Sequence, residues 1–191
     1  MNNELHTGPL GEASQYAEGY SPERLFPMPR AEGRLAVGLM ATPDCYGQDI
    51  WTGFEFSWLQ EKGKPEVAVL RLTVPAFCSH IVESKSMKLY LNGFAQTRFD
   101  SISAVRERLT EDLGSAFGGA VGVELLALAD SSLGVGELQG ECLDELDVEI
   151  TEYERNPDLL ALTALDGTDD APVTQVLTTH LFRSLCPVTA Q

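Results

Sequence analysis

The spacing of apolar residues changes several times along the chain, and each change marks an element. Phe54, Phe56 and Trp58 alternate with Glu55 and Ser57, and after the turn sequence EKGKP the run EVAVLRLTV is β-branched and apolar. Alternation on both sides of the EKGKP turn predicts an antiparallel hairpin. From Ser84 the period lengthens: Met87, Tyr90, Leu91, Phe94 and Ala95 fall at i, i+3, i+4, i+7 and i+8. Such spacing puts them on one face of a helix over 84–97, with Lys85, Lys88 and Asn92 on another. A second helix is expected over about 102–113, with Ile102, Val105, Leu109 and Leu113 inward and Arg106, Glu107, Arg108 and Glu111 outward, ended by the glycine-rich GSAFGGAVG. VGVELLAL reads as a buried strand. In LDVEITEY, Leu146, Val148 and Ile150 alternate with Asp147, Glu149 and Thr151, the pattern of a half-buried strand.

These elements run strand, strand, helix, helix, strand, strand over 50–155. Residues 1–49, punctuated by Pro22, Pro27 and Pro29, read as an extended N-terminal arm with no strong element. After Asn156 and Pro157 the pattern restarts. DLLALTAL, the turn DGTDDAP and the alternating VTQVLTTHLF predict that 156–191 open a second module with a hairpin. That module has no helices or closing strands of its own, so it is expected to be truncated or completed by a partner.

Charge narrows the function classes. Thirteen basic and 29 acidic residues give a net charge of −16, which disfavours attraction to nucleic acid or an anionic membrane. No apolar run reaches the length of a membrane span, and MNNELHTGPLGE has neither a basic nor an apolar leader region, so the expected location is cytoplasmic. Cys45, Cys78, Cys142 and Cys186 form no CxxC pair and have no ligand spacing with His6, His80 or His180. No metal site is expected, and scattered cysteines in a reducing compartment read as small buried hydrophobes.

Motifs for familiar chemistries are missing. There is no Walker A sequence, no GxSxG and no HExxH, and GVGELQG has the wrong glycine spacing for a dinucleotide fingerprint. Twelve acidic residues over 137–170 face only Arg155, which reads as a solvated acidic surface. The helix from Ser84 carries two readings. Its lysines are either an exposed polar face with Glu83 as a favourable charge at the N-terminus, or part of an anion site made by Ser84, Lys85 and the first unpaired N–H groups. Cys186 follows a predicted strand and precedes a proline, where a thiol at a sheet edge can be exposed. His180, six residues earlier, reads as a packed or hydrogen-bonded strand residue.

The stretch ESKSMKLYLNGFAQTRF at 83–99 resembles the signature of the NADPH-dependent 7-cyano-7-deazaguanine reductases in their long, two-module form. GQDIWTGFEFSWLQEKGKPEVAV, LGEASQY, LFPMPR and HLFRSLCPVTAQ are similar to that family as well. The resemblance implies an α+β tunnelling fold, an antiparallel sheet with two helices on one face, here one complete module plus the start of a second. It implies reduction of a nitrile to a primary amine with NADPH on the route to queuosine in tRNA, with a free deazapurine base as substrate and no direct nucleic-acid contact.

Carried over by position, Cys186 is the expected nucleophile, forming a thioimide with the nitrile carbon. Val82, Glu83 and Ser84 are the expected substrate contacts, with the Glu83 carboxylate accepting from N–H edges of the base. Ser84 and Lys85 are the expected NADPH contacts, with Lys88 supporting through its field. The complete form is expected to be a homo-oligomer. In the family the cysteine is followed by PVTxQPDW, and the proton-delivering Asp lies seven residues after the cysteine, two positions beyond Gln191. This chain is therefore expected to be a weak reductase by itself. The alternative is a short, catalytically inactive tunnelling-fold protein that binds a deazapurine or a partner subunit.

Overall fold

The computed structural model describes residues 19–36, 38–40, 46–130, 134, 136–153, 156–159 and 174–182. Its internal contacts divide the chain into one unit running to Leu133 and a second starting at Gly134.

The first unit is mixed α+β. In chain order it contains β1 (Pro27–Pro29), α1 (Arg30–Ala36), β2 (Gln48–Gln60), β3 (Pro65–Pro75), β4 (His80–Val82), α2 (Ser84–Asn92), β5 (Arg98–Phe99), α3 (Ile102–Phe117) and β6 (Gly122–Leu126). The expected hairpin is β2 and β3, antiparallel from Gln48 opposite Pro75 to Leu59 opposite Pro65. β6 adds antiparallel to β3 and β5 adds parallel to β2, giving the order β5-β2-β3-β6. β1 and β4 form a separate antiparallel pair. The N-terminal arm thus carries a short strand and a helix where none was expected: β1 reaches strand geometry by pairing with β4, 50-odd residues away, a contact no local pattern encodes.

Alternation puts Ala68, Leu70, Leu72 and Val74 of β3 on one face, all buried. They form one core with Phe56 and Trp58 of β2, Met87 and Tyr90 of α2, Phe94, and Val105, Leu109, Leu113 and Phe117 of α3. Both helices therefore bury their apolar stripes on the same sheet face. Phe94 is the hub, its ring 5.2 to 5.4 Å from those of Tyr20, Phe56, Tyr90 and Phe99. α2 ends at Asn92 and a 3-10 turn over Gly93–Gln96 carries Phe94 into the core, so the helix expected to 97 changes geometry in its last turn.

α3 runs past the expected 113 to Phe117. Gly114 does not stop it, because the buried Phe117 extends the inward stripe by one turn. Gly118 stops it, at φ +67, with its N–H returned to Gly114 and Ser115. Ile102, expected inward, is 52% exposed because it opens the helix beside the cap Ser101, ahead of the first buried position, Val105.

The second unit departs further from expectation. Its described strands are β7 (Glu141–Cys142) and β8 (Leu177–Thr178), paired in parallel. LDVEITEY forms no strand: Leu146, Val148 and Ile150 are each about 60% exposed, so the alternation faces no sheet that could bury it. VTQVLTTHLF contributes only the two residues of β8 within 174–182, and DLLALTAL falls almost wholly outside the described residues.

Candidate functional site

The link from β4 into α2 is built by Glu83. Val82 is buried in β4 opposite Pro27, and the next residue turns the chain from strand to helix. Glu83 has extended φ/ψ and caps α2 with its own side chain: Oε1 accepts from the Lys85 N–H and Oε2 from the Ser86 N–H, both at 2.7 Å. A carboxylate at a helix N-terminus gains from the hydrogen bonds and from the helix dipole. Its main chain is anchored too, with the Glu83 N–H donating to the Phe26 carbonyl at 2.9 Å. Ser86, fully buried, donates from Oγ to the Glu83 carbonyl at 2.7 Å and accepts from the Phe26 N–H at 3.0 Å. The turn is therefore held from both sides.

This geometry changes the anion-site reading. The Lys85 and Ser86 N–H groups are engaged by Glu83, so an anionic ligand here meets side chains rather than those donors. The Glu83 carboxylate is 5% exposed and committed to the cap, with lone pairs left over for further donors. Ser84 is exposed, its Oγ 3.4 Å from Glu83 Oε1, and Lys85 is half-buried.

A cleft of about 540 Å³ opens between α2 and β2 beside this turn. Ser84 and Lys88 from α2 and Thr52 and Glu55 from β2 supply its polar lining, and Trp51, Phe54 and Met87 are among its apolar walls. Phe54 is 67% exposed, against the expectation that it points the same way as Phe56 and Trp58. The cause is a β-bulge: Gly53 pairs with Leu70 but Phe56 pairs with Ala68, so β2 holds one extra residue and its faces exchange there. The bulge turns Phe54 out of the core to the cleft. Sequence periodicity missed this residue, and the only local signal was Gly53 inside a strand pattern. A larger cleft, about 710 Å³, is lined by residues of all four strands of the sheet, among them Phe99 of β5, Trp58 of β2 and Leu125 of β6, and contains none of residues 82–85.

Two cysteines lie among the described residues. Cys78 is buried as expected, 1% exposed, and burial pushes its thiol pKa up. Cys142 is exposed, against expectation, because β7 lies in a unit with no buried residue among those described. Its Sγ lies 3.9 Å from His180 Nδ1, which is 2.9 Å from Asp144 Oδ2. Hydrogen bonds from Thr179 and then His180 hold the Asp144 carboxyl down at about 2. Cys186 lies outside the described residues, as does Cys45.

Within the described residues, then, Val82, Glu83, Ser84 and Lys85 form one anchored turn, of which Ser84 reaches the cleft together with Lys88. A strand-to-helix turn capped by a buried carboxylate thus lies beside a largely apolar cleft that carries a few polar side chains, the features general to small-molecule pockets. Residues 16–125 match the family described as nitrile reductase, 7-cyano-7-deazaguanine-reductase N-terminal, and this chain belongs to that family. It is 47% identical over 184 residues to the NADPH-dependent 7-cyano-7-deazaguanine reductase of Burkholderia orbicola (strain MC0-3), covering 96% of this chain and 66% of that protein. The reductase of Acidovorax ebreus (strain TPSY) is 47% identical over 199 residues, covering all of this chain and 69% of that protein. The chain thus spans about two thirds of the length of these relatives.

Proposed function

We propose that this chain is the N-terminal part of an NADPH-dependent nitrile reductase that converts 7-cyano-7-deazaguanine to its aminomethyl product in queuosine biosynthesis. The carrying observation is the family match over 16–125, which includes the Glu83-capped turn and the cleft beside it. In this reading the first unit is a tunnelling-fold module, supported by a sheet with α2 and α3 on one face. The complete enzyme in this reading is cytoplasmic and a homo-oligomer; association is supported by β6, whose outer edge has no neighbour among the described strands. Among the described residues no helix is long and apolar enough to cross a membrane. The net charge of −16 favours the free base over tRNA as the direct ligand.

The apolar walls of the cleft suit a planar ring, and on its α2 side the Lys88 ammonium and Ser84 hydroxyl suit phosphate oxygens, while its β2 side carries the Glu55 carboxylate. Lys85, next to Ser84, adds charge on the same turn. When bound, the cofactor supplies the hydrides that reduce the nitrile. The chain's own part is capture and orientation. Val82 and Ser86 fix the turn, and the Glu83 carboxylate retains lone pairs for the N–H edge of the base. Cys186 is assigned as the nucleophile: its thiolate adds to the nitrile carbon while the nitrogen takes a proton, giving a covalent thioimide with a C=N double bond in place of an inert triple bond.

Intact-mass analysis of the chain with 7-cyano-7-deazaguanine tests the assignment. Slow formation of one adduct, mapped to Cys186 and lost in Cys186→Ala, is expected. Absence of any adduct after prolonged incubation, or its appearance on another cysteine, would overturn it.

A further inference from the structure

The second unit gathers three side chains that the sequence keeps far apart. Cys142 closes β7, Asp144 follows it, and His180 lies two residues after β8; the two strands are parallel, so both segments leave the same end of the ladder. Cys142 Sγ, one Asp144 carboxylate oxygen and a His180 ring nitrogen all lie within 4.8 Å of one another.

Two arrangements use such a trio, and the geometry separates them. A nucleophilic Cys-His-Asp relay needs the two ring nitrogens to serve different partners, one facing the thiol and the other the carboxylate. Here both partners approach the same nitrogen: Nδ1 is 3.9 Å from Sγ and 2.9 Å from Oδ2. A proton relay is not built this way. Donor atoms of three kinds, all within 4.8 Å of one another, can instead share one ion.

We propose that Cys142, Asp144 and His180 bind a divalent transition metal, with zinc the best match, and that the ion clasps β7 to the segment following β8. Bond lengths typical of zinc sites put sulfur and nitrogen about 3.5 Å apart and nitrogen and oxygen about 3.4 Å apart in a tetrahedron. The observed separations of 3.9 and 2.9 Å differ from these by about half an ångström or less, within reach of side-chain rotation. A thiolate with an imidazole selects zinc or cobalt over magnesium or calcium.

The carboxylate is already oriented. Asp144 Oδ1 accepts from Thr179 Oγ1 at 2.7 Å and from the His180 N–H at 3.1 Å, which aims Oδ2 at the ring. Water or another side chain completes the fourth position. The unit has use for a clasp: its described residues include none that is buried, and its ladder pairs only Glu141 with Leu177 and Cys142 with Thr178. Small units with little core commonly rely on a metal or a covalent link.

Cobalt titration of the chelator-treated, reduced chain reads this directly. One equivalent is expected to give a thiolate-to-cobalt charge-transfer band in the near ultraviolet, and zinc is expected to abolish it. Cys142→Ser and His180→Ala should each weaken binding by at least about 10- to 100-fold, whereas Cys186→Ser should leave the band unchanged. On the unmodified chain, zinc should slow alkylation of Cys142, read by peptide mapping, which keeps the test independent of whether the variants fold. The proposal fails if no band forms at equimolar cobalt, if Cys186→Ser removes the band while Cys142→Ser keeps it, or if Cys142 alkylates equally fast with and without zinc.

Discussion

The Tyr90 hydroxyl donates to the Asp112 carboxylate across 2.7 Å, a polar link from α2 to α3 beside the apolar core that both helices join. Tyr20 donates to the same Asp112 oxygen from outside the helices. Burial, followed by the bond to Asp112, raises the pKa of both phenols above the ordinary 10.0. An unfolded tyrosine releases its proton near that value while the native ones keep theirs, so above it the unfolded state binds fewer protons and stability falls as pH rises. The two phenols contribute no pH dependence below about pH 10 and lower stability above it, while the buried Cys78 thiol, also raised by burial, adds a loss that begins near its ordinary 9.0. The drop due to Tyr90 approaches about 1.4 kcal/mol per pH unit. Tyr90→Phe should remove that part of the slope, as read by urea unfolding at stepped pH. An unchanged alkaline slope would show that the phenol does not govern it.

Removing the acceptor gives a complementary result. Asp112→Ala leaves the buried Tyr90 hydroxyl without its partner and should cost about 1 to 3 kcal/mol. Tyr90→Phe, which removes the donor, should cost less because the Asp112 carboxylate keeps Tyr20. Chemical denaturation of both variants orders them.

Glu83 has a structural duty separable from any contact with ligand. Glu83→Ala frees the Lys85 and Ser86 N–H groups of α2 and should destabilise the first unit by about 0.5 to 2 kcal/mol. Glu83→Asp, whose shorter carboxylate is a favoured cap, should restore much of that stability without restoring ligand affinity. Thermal unfolding set beside ligand titration separates the two, and parallel recovery of both would argue against a distinct binding role.

The cleft predicts the opposite split. Phe54 is 67% exposed, so Phe54→Ala should leave Tm nearly unchanged while lowering affinity for an aromatic ligand by about 2- to 10-fold. In a complete version of the enzyme, Lys85→Ala and Lys88→Ala should raise KM for NADPH more than for the nitrile. Equal losses for both ligands would remove the lysines from the cofactor assignment.

Gly118 ends α3 at φ +67, and a Cβ built there would lie 2.1 Å from Ser79 Oγ. Gly118→Ala should therefore cost about 1 to 2 kcal/mol from backbone strain alone. Gly136, with open space around it, is the matched control. If the two alanine variants unfold at the same temperature, the left-handed cap contributes nothing.

Much of the first unit was legible in the sequence because its elements are long and periodic. The i, i+3, i+4 spacing from Met87 to Phe94 and from Val105 to Leu113 needs only helical geometry to define a face, and each stripe is buried. The hairpin was legible from alternation and its Lys-Gly-Lys-Pro turn. The strand expected at LDVEITEY failed for a reason in the same physics: alternation specifies which residues share a face but does not provide a sheet to cover it. The site was legible as a motif rather than as a geometry. ESKSMK identified the turn, but not that Glu83 would take up its N–H groups or that Phe54 would face the neighbouring cleft.

The sequence by itself determined α2 and α3, most of their buried stripes and the family, because periodicity and a contiguous motif are local properties of a chain. Tertiary structure decided the rest. One extra residue in β2 reversed the direction of Phe54, and the pairing of β7 with β8 brought Cys142 to His180 across 38 positions. A side chain's face depends on every residue inserted before it in the ladder, and a cluster depends on which distant strands meet. Neither is recorded in the spacing of residues along a single segment.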